Sequence, residues 1–328
     1  MNTPRRSLIA AALAAATLPV VARAQAPAPA WPSKPIRLVV PYATGGFNDL
    51  RSRQIGQHLS KALGQPVIID NKAGAGGTLG IDLVAKAAPD GYTIGMGNLA
   101  SLSVNVSLMK KVPYDPQKDL APIVLVEQSP LVLTAGPGTS AKTVGELLAQ
   151  ARAQPGKLTF ASSGIGGAHH LSGEMLLQLA GADLAHVPYK GGSQGATDLM
   201  AGHVAVMFEM GYSALPSIKA GRIRALAVTS SKRLQVLPDV PTMIEAGVQG
   251  FESYNWQGLV APAGTPRAIV DRLNREVNAI LAMPEVRDGI VAQGSQPSGG
   301  TPEQFAAFVK TETAKWGKVV RDANIQPE

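Results

Sequence analysis

Four glycine-rich segments carry the residues of this chain best suited to touch a ligand. They are Thr44-Gly45-Gly46-Phe47-Asn48, Asn71-Lys72-Ala73-Gly74-Ala75-Gly76-Gly77-Thr78, Ser162-Ser163-Gly164-Ile165-Gly166-Gly167-Ala168 and Tyr189-Lys190-Gly191-Gly192-Ser193. Each follows a short apolar run and opens a helical pattern. Glycine lets a backbone approach a ligand closely, and the first turn of a helix leaves N–H donors unpaired at its positive dipole end. The chemistry this suits is holding an anion. One such turn alone is more often structural, but anion sites on two facing lobes would suit a small acid with a carboxylate at each end.

Catalytic patterns are weaker. Gly191-Gly192-Ser193-Gln194-Gly195 matches the G-x-S-x-G nucleophile elbow, and it sits between a strand and a helix. That mechanism needs an acid and then a histidine further along. The histidines are His58, His169, His170, His186 and His203, so only His203 follows Ser193, ten residues on. Gly74-Ala75-Gly76 begins like a dinucleotide fingerprint, but Leu79 stands where the third glycine belongs. His169 and His170 are adjacent and cannot share one ligand point on a regular helix, whereas His170 and Glu174 are helical neighbours. Asp49, near a helix start, reads as a loop-bracing carboxylate rather than a general base. With no cysteine in the chain, disulfides, thiol nucleophiles, zinc–thiolate sites and iron–sulfur clusters are excluded. No cofactor, metal or catalytic residue is expected; the residues read as a binder, not an enzyme.

These loops need a scaffold. Ile36–Val40, Val67–Ile69 and Tyr92–Met96 predict strands, and the intervening segments carry helical patterns through Leu50, Ile55, Leu59 and Leu63, then Leu79, Leu83 and Val84. Ile123–Val126 and Leu131–Thr134 predict two extended pieces split by Ser129-Pro130, where the chain would cross between domains. A second series follows, with strands at Leu158–Ala161, Leu184–Val187, Val204–Phe208 and Ile223–Val228. Trp256–Ala261 is extended, and helices over about 266–282 and 302–322 finish the chain. Strands alternating with helices imply an α/β fold of two lobes, each a mainly parallel sheet flanked by helices, with the ligand cleft between them. The expected boundaries are 25–127 plus 252–328 for the first lobe and 128–251 for the second.

The N-terminus reads as an address. Arg5-Arg6, an Ala-rich apolar run to Val21 and Ala22-Arg23-Ala24 make a secretory leader over residues 1–24, with the paired arginines resembling a twin-arginine signal. The Ala/Pro segment 25–30 is a tether. A periplasmic, soluble protein is expected, where ATP and NAD chemistry is improbable. Three of the charges behind the formal +7 belong to Arg5, Arg6 and Arg23, and no basic run follows, so no nucleic-acid partner is expected.

Taken jointly, the motifs resemble those of the tripartite tricarboxylate transporter substrate-binding proteins, the Bug family. The residues that carry the resemblance are Trp31-Pro-Ser-Lys-Pro-Ile-Arg-Leu-Val-Val-Pro-Tyr, Gly45-Gly46 with Asp49 and Arg53, Leu63-Gly-Gln-Pro-Val, Asn71-Lys72, Gly74-Ala-Gly-Gly-Thr and Pro89-Asp-Gly-Tyr-Thr. His186-Val-Pro-Tyr-Lys-Gly, Leu237-Pro-Asp-Val-Pro-Thr, Gly250-Phe-Glu and Ala261-Pro-Ala-Gly-Thr-Pro extend it over the mature chain. The resemblance implies a monomeric two-lobed periplasmic binding protein that closes on a small carboxylate and delivers it to integral-membrane permease subunits. Carried onto this sequence, it assigns ligand contacts to Tyr42, Thr44, Gly45, Gly46, Phe47, Asn48 and Asp49, with Asn98, in the first lobe. In the second it assigns Ser162, Ser163, Gly164, Gly166, Gly167, Ala168 and His169, with Tyr189. Two departures bear on the ligand: Phe47 replaces a commonly small residue, and Gly167-Ala168 lacks a hydroxyl often found there. Both favour an aromatic carboxylate or dicarboxylate such as terephthalate over a hydroxylated acid, unless the Phe47 ring turns into the first lobe. An aliphatic di- or tricarboxylate, a sensor for a membrane receptor and, more remotely, an exported serine hydrolase are the alternatives.

Overall fold

A computed structural model describes residues 31–327, so the leader and tether read from the sequence lie outside the described residues. The first strand, β1 (Ile36–Val40), carries four branched apolar residues, all buried, around the half-buried Arg37. The chain leaves it through a glycine turn into α1 (Phe47–Leu63), which buries Ile55, Leu59 and Leu63 and stops at Gly64, whose φ of +67° is left-handed. Then come β2 (Val67–Asn71), α2 (Thr78–Ala85) and β3 (Thr93–Asn98). Within α2, Gly80 has a packing role: a Cβ there would lie 2.7 Å from Pro41 Cα and 2.9 Å from the Lys72 carbonyl oxygen. Only glycine lets this helix rest on the ends of β1 and β2. Leu50 and Leu79, read from the sequence as part of the apolar stripes, are instead exposed.

A π-helical turn, Ala100–Val104, runs into the short α3 (Asn105–Leu108). Next is β4 (Leu120–Ala135), a single strand of 16 residues rather than the two pieces expected. Pro130 is the last residue of β4 paired with β9 (Tyr254–Pro262), and Leu131 is the first paired with β7 (Val206–Met210). The donor missing at Pro130 thus falls where one ladder hands over to the next, and the strand continues. Between β4 and β9 lie α4 (Val144–Ala153), β5 (Thr159–Ser162), α5 (Ala168–Ala180), β6 (Ala185–Pro188), α6 (Gly192–Ala201), β7, α7 (Gly211–Lys219) and β8 (Arg224–Val228). After β9 come α8 (Arg267–Ala282), α9 (Pro284–Ala292), β10 (Gln296–Gly299) and α10 (Pro302–Asp322). The last helix opens with a capping box between Thr301 and Gln304.

Strand order is β2-β1-β3-β9-β4-β7-β5-β6, with β10 and β8 also on β4. The pairings β1–β2, β1–β3, β5–β6 and β5–β7 are parallel, while every pairing of β4 or β9 is antiparallel. The expected parallel sheets are therefore confined to the outer strands, and the whole sheet is mixed. The molecule is two-lobed: the first part of β4 pairs with β9 and β10, and its last part with β7 and β8. One core joins Ile36, Leu38, Ile55 and Leu59 to Leu273, Val277 and Ile280 of α8. Each such fully buried aliphatic side chain contributes about 1.5–3 kcal/mol. A larger core runs from Phe160 and Phe208 to Trp256, Phe305 and Trp316. Glu312 of α10 accepts from both indoles, at 2.9 Å from Trp256 and 2.8 Å from Trp316, and fastens α10 to β9.

Candidate ligand-binding cleft

A cleft of about 800 Å³ opens where α1, α5, α6 and α7 begin. The caps of these helices are Gly46, Gly167, Gly191 and Met210, and none of them supplies a side-chain hydrogen bond to the first turn. Backbone N–H donors therefore face the cleft from four directions, each at the positive end of a helix dipole worth about half a charge. Among the lining residues there is no Lys, Arg, Asp or Glu. Its ionisable members are Tyr42, His169 and Tyr212. Burial holds His169 down to about 4, so it is neutral at pH 7. Burial also pushes Tyr42 up to about 12, against a smaller opposite effect of its hydrogen bond with Asn98.

The loop before α1 is built to stay in place. Gly45 adopts φ +84° and donates its N–H to Asp49 Oδ2 at 2.8 Å. Asn71 donates to Asp49 Oδ1 at 2.9 Å and to the Tyr42 carbonyl at 3.0 Å, and Arg53 Nε donates to Asp49 Oδ2 at 3.0 Å. Burial pushes the Asp49 carboxyl up, but the bonds from Arg53, Gly45 and Asn71 outweigh it and hold it below the ordinary carboxylate value. The Tyr42 hydroxyl reaches Asn98 Oδ1 at 2.9 Å and the Gly76 carbonyl at 3.1 Å. In the loop before α5, Ser162 Oγ lies 2.7 Å from His186 Nε2 and accepts the Gly164 N–H at 3.2 Å. Among the described residues, two buried polar atoms on cleft residues have no partner: Asn48 Nδ2 and His169 Nδ1.

An uncharged cleft walled by helix starts on a two-lobed scaffold is the arrangement of a solute receptor. The family described as "Tripartite tricarboxylate transporter family receptor" matches residues 51–325. The chain belongs to that family. It is 44% identical over 292 residues to the protein of the tcbD-tcbE intergenic region of Pseudomonas sp. strain P51, covering 89% of this chain and 87% of the relative. It is 39% identical over 293 residues to BugT of Bordetella pertussis, covering 89% and 90%. Among solved structures it is similar to R. palustris Rpa4515 with adipate, at TM-score 0.82 and 35% identity, over 91% of this chain and all 100% of that one. MatC of Rhodopseudomonas palustris with bound malate aligns at TM-score 0.77 and 35% identity, over 88% and 100%.

In this receptor, Tyr42, Thr44, Gly45, Gly46, Phe47, Asn48, Asn98, Ser163, Gly167, Ala168 and His169 line the cleft together. Asp49, Ser162, Gly164, Gly166 and Tyr189 do not. Asp49 and Ser162 are buried beneath the loops they brace, a Cβ on Gly166 would collide with Leu108 of α3, and the Tyr189 hydroxyl donates to Asp198 at 2.6 Å. Lining residues that the sequence assigned to no contact are Gly191, Gly192, Ser193, Met207, Met210, Tyr212, Ser213 and Asn255, among others. The fourth glycine-rich loop signalled the first three of these. The remainder had no signal: β7 ends at Met210 and α7 begins at Gly211 with no loop between them, and Asn255 lies within β9.

The receptor's serine elbow has no triad. Ser193 faces the cleft, but its hydroxyl has no histidine or carboxylate partner among the described residues. His203 stands exposed beside Asp198, at 3.4 Å, beyond the far end of α6. Among the described residues no group of three or more His, Cys, Asp or Glu could hold a metal. Nor is any described helix long and apolar enough to cross a membrane.

Proposed function

We propose that this receptor captures a small carboxylate in the periplasm and presents it to integral-membrane permease subunits, acting as a monomeric binder without catalysis. The observation that carries the reading is the cleft whose anion-holding capacity comes from four uncapped helix starts, with no charged side chain in its wall. A carboxylate seated there exchanges water for preorganised N–H donors, and the affinity gained depends on both lobes contributing. Ligand then stabilises the closed arrangement by the contacts made only there. With lobes at 25–127 plus 252–328 and 128–251, the two crossing strands β4 and β9 absorb the hinge rotation.

The ligand class favoured is an aromatic carboxylate or dicarboxylate, terephthalate being an example. Phe47, Tyr212, Met207 and Met210 give the cleft an apolar, ring-accepting wall between the helix starts. Adipate in R. palustris Rpa4515 and malate in MatC support a carboxylate and also favour an aliphatic one as the second reading.

Thermal unfolding against a panel of aliphatic and aromatic mono- and dicarboxylates tests the proposal. A ligand at about 100 times its Kd stabilises by about 2.7 kcal/mol, several degrees for a chain of this size. Shifts with aromatic acids are expected. Shifts with aliphatic acids alone would keep the receptor and discard the aromatic ligand, and a flat panel would discard carboxylate capture.

A further inference from the structure

The loop that opens α5 repeats the loop that opens α1. Gly45, at φ +84°, donates to Asp49 Oδ2, four residues on, at 2.8 Å. Gly166, at φ +75°, donates to His170 Nδ1, four residues on, at 3.1 Å. The next residue caps the helix in the same extended conformation, with φ −81° and ψ 175° at Gly46 and φ −77° and ψ 166° at Gly167. Each acceptor is held from the following turn: Asp49 by Arg53 at 3.0 Å, and His170 Nε2 by Glu174 Oε1 at 3.3 Å. A carboxylate oxygen and an imidazole Nδ1 are both bonded to Cγ, so both place an acceptor at the same reach from the backbone.

The two braces differ in one property. Asp49 accepts in its charged form, whereas an imidazole accepts at Nδ1 only while that nitrogen carries no proton. The Gly166 N–H aimed at His170 Nδ1 selects the tautomer with the proton on Nε2, the nitrogen that lies 3.3 Å from Glu174 Oε1. A second proton would set an N–H against an N–H. We infer that His170 is a positioning residue for the ligand: its unprotonated Nδ1 fixes Gly166, and through it the cleft-facing Gly167 and Ala168, so that capture weakens when the ring is protonated.

Elements packed on α5 are β5, β6, β7 and α10; α10 meets it at Gln178, which donates to the Val319 carbonyl at 3.2 Å, and its Glu312 is engaged by Lys315 and the two indoles. On the helix of His170 itself, Glu174 Oε1 lies 3.3 Å from Nε2 of the ring. On β6 the His186 ring is stacked upon it, centroids 3.9 Å apart and planes at 17°, and opposes a second positive charge. Burial, and then the neighbouring His170, hold His186 itself down to about 4. From β5 comes the neutral Phe160, with its centroid 6.2 Å away. Strand β7 also packs on α5, but its Glu209 is turned to Thr134 Oγ1 at 2.8 Å.

This inference rests on the carboxylate reading of the cleft, so its test has two readouts. NMR of the nitrogen-15-labelled protein without ligand follows the His170 ring and the Gly166 amide with pH. Calorimetry follows the affinity for the best acid of the panel over the same range, in the parent, His170→Asn and His170→Phe. In the parent, the Gly166 amide and the affinity are expected to move with the midpoint of the His170 ring. Affinity should fall roughly tenfold or more as a buried hydrogen bond is lost. His170→Asn keeps an acceptor at the Nδ1 position and cannot titrate, so it should bind like the parent at neutral pH and lose that pH dependence. His170→Phe keeps the stack on His186 without the acceptor and should bind about tenfold more weakly at every pH. Parent-like binding by His170→Phe, or a Gly166 amide indifferent to the His170 titration, would overturn the inference. If no acid binds the parent, the carboxylate reading falls and the Gly166 amide still decides the brace.

Discussion

Phe47 and Tyr212 lie nearly parallel at the cleft, ring centroids 6.3 Å apart and planes only 5° from parallel. One opens α1 and the other opens α7, so the pair joins elements that are far apart in the chain. Phe47 also packs against the larger core, and Tyr212 remains 42% exposed, which leaves the tyrosine ring the more available to a ligand.

Removing one ring of this pair should separate ligand classes. Phe47→Ala is expected to weaken aromatic acids about tenfold, the sum of lost ring contact and lost area. Aliphatic acids should change much less. Calorimetry with one acid of each kind reads the difference, and equal losses for both would remove Phe47 as a selectivity residue.

Asn48 offers a different kind of contact. Its side chain is 5% exposed, lines the cleft, and has an Nδ2 without a partner. An unsatisfied buried donor costs about 1–3 kcal/mol, and a ligand oxygen that accepts from it recovers that cost. Asn48→Ala should therefore weaken binding about tenfold while leaving the unliganded protein as stable as the parent or slightly more so. A matched loss of melting temperature in the unliganded protein would show a structural role instead.

Arg51 carries stability rather than recognition. It meets the fully buried Glu127 of β4 through two hydrogen bonds, both 2.9 Å, and also contacts Gln54 and Gln293. Arg51→Ala leaves a carboxylate buried without its cation, and about 3–5 kcal/mol of stability should be lost. Replacing both partners, as in Arg51→Met with Glu127→Leu, should recover most of it. Urea unfolding of the single and double variants measures the difference; a single variant within 1 kcal/mol of the parent, roughly the effect of an exposed pair, would contradict the assignment.

The first-lobe brace has its own pH signature. Asp49 sits below its ordinary value of 3.8 in the folded chain. A depressed carboxylate contributes stability in full above the unfolded value, and that contribution is lost as pH falls through the folded one. Asp49→Asn should therefore be less stable than the parent at neutral pH. The gap should narrow as the solution is acidified below 3.8. Melting temperatures of the two proteins across that range check the sign, and a gap that widens on acidification would refute it.

Local pattern was enough for much of the scaffold. The β-branched residues of Ile36–Val40 point to a buried strand, and the apolar spacing of residues 267–282 and 302–322 points to amphipathic helix. Where the expectation failed, a long-range term had won. Ser129-Pro130 reads as a break in one chain, yet two ladders meeting there make the strand continuous. Polar Gln296–Gly299 has no strand pattern of its own, and becomes β10 because β4 offers it a free edge.

The same division holds at the site. Glycine-rich turns placed between strands and helices are local facts, because the left-handed backbone at Gly45 and Gly166 favours glycine; so the sequence alone determined an α/β solute receptor and most of its loops. It could not determine which side chains turn toward the ligand. Asp49 and Ser162 look like ligand contacts in one dimension and are consumed in bracing loops, while Met207 and Met210 of β7, Tyr212 of α7 and Asn255 of β9 reach the cleft with no motif. Those assignments depend on which elements β4 and β9 draw together, and that is decided by strand pairing across more than a hundred residues of chain and by burial.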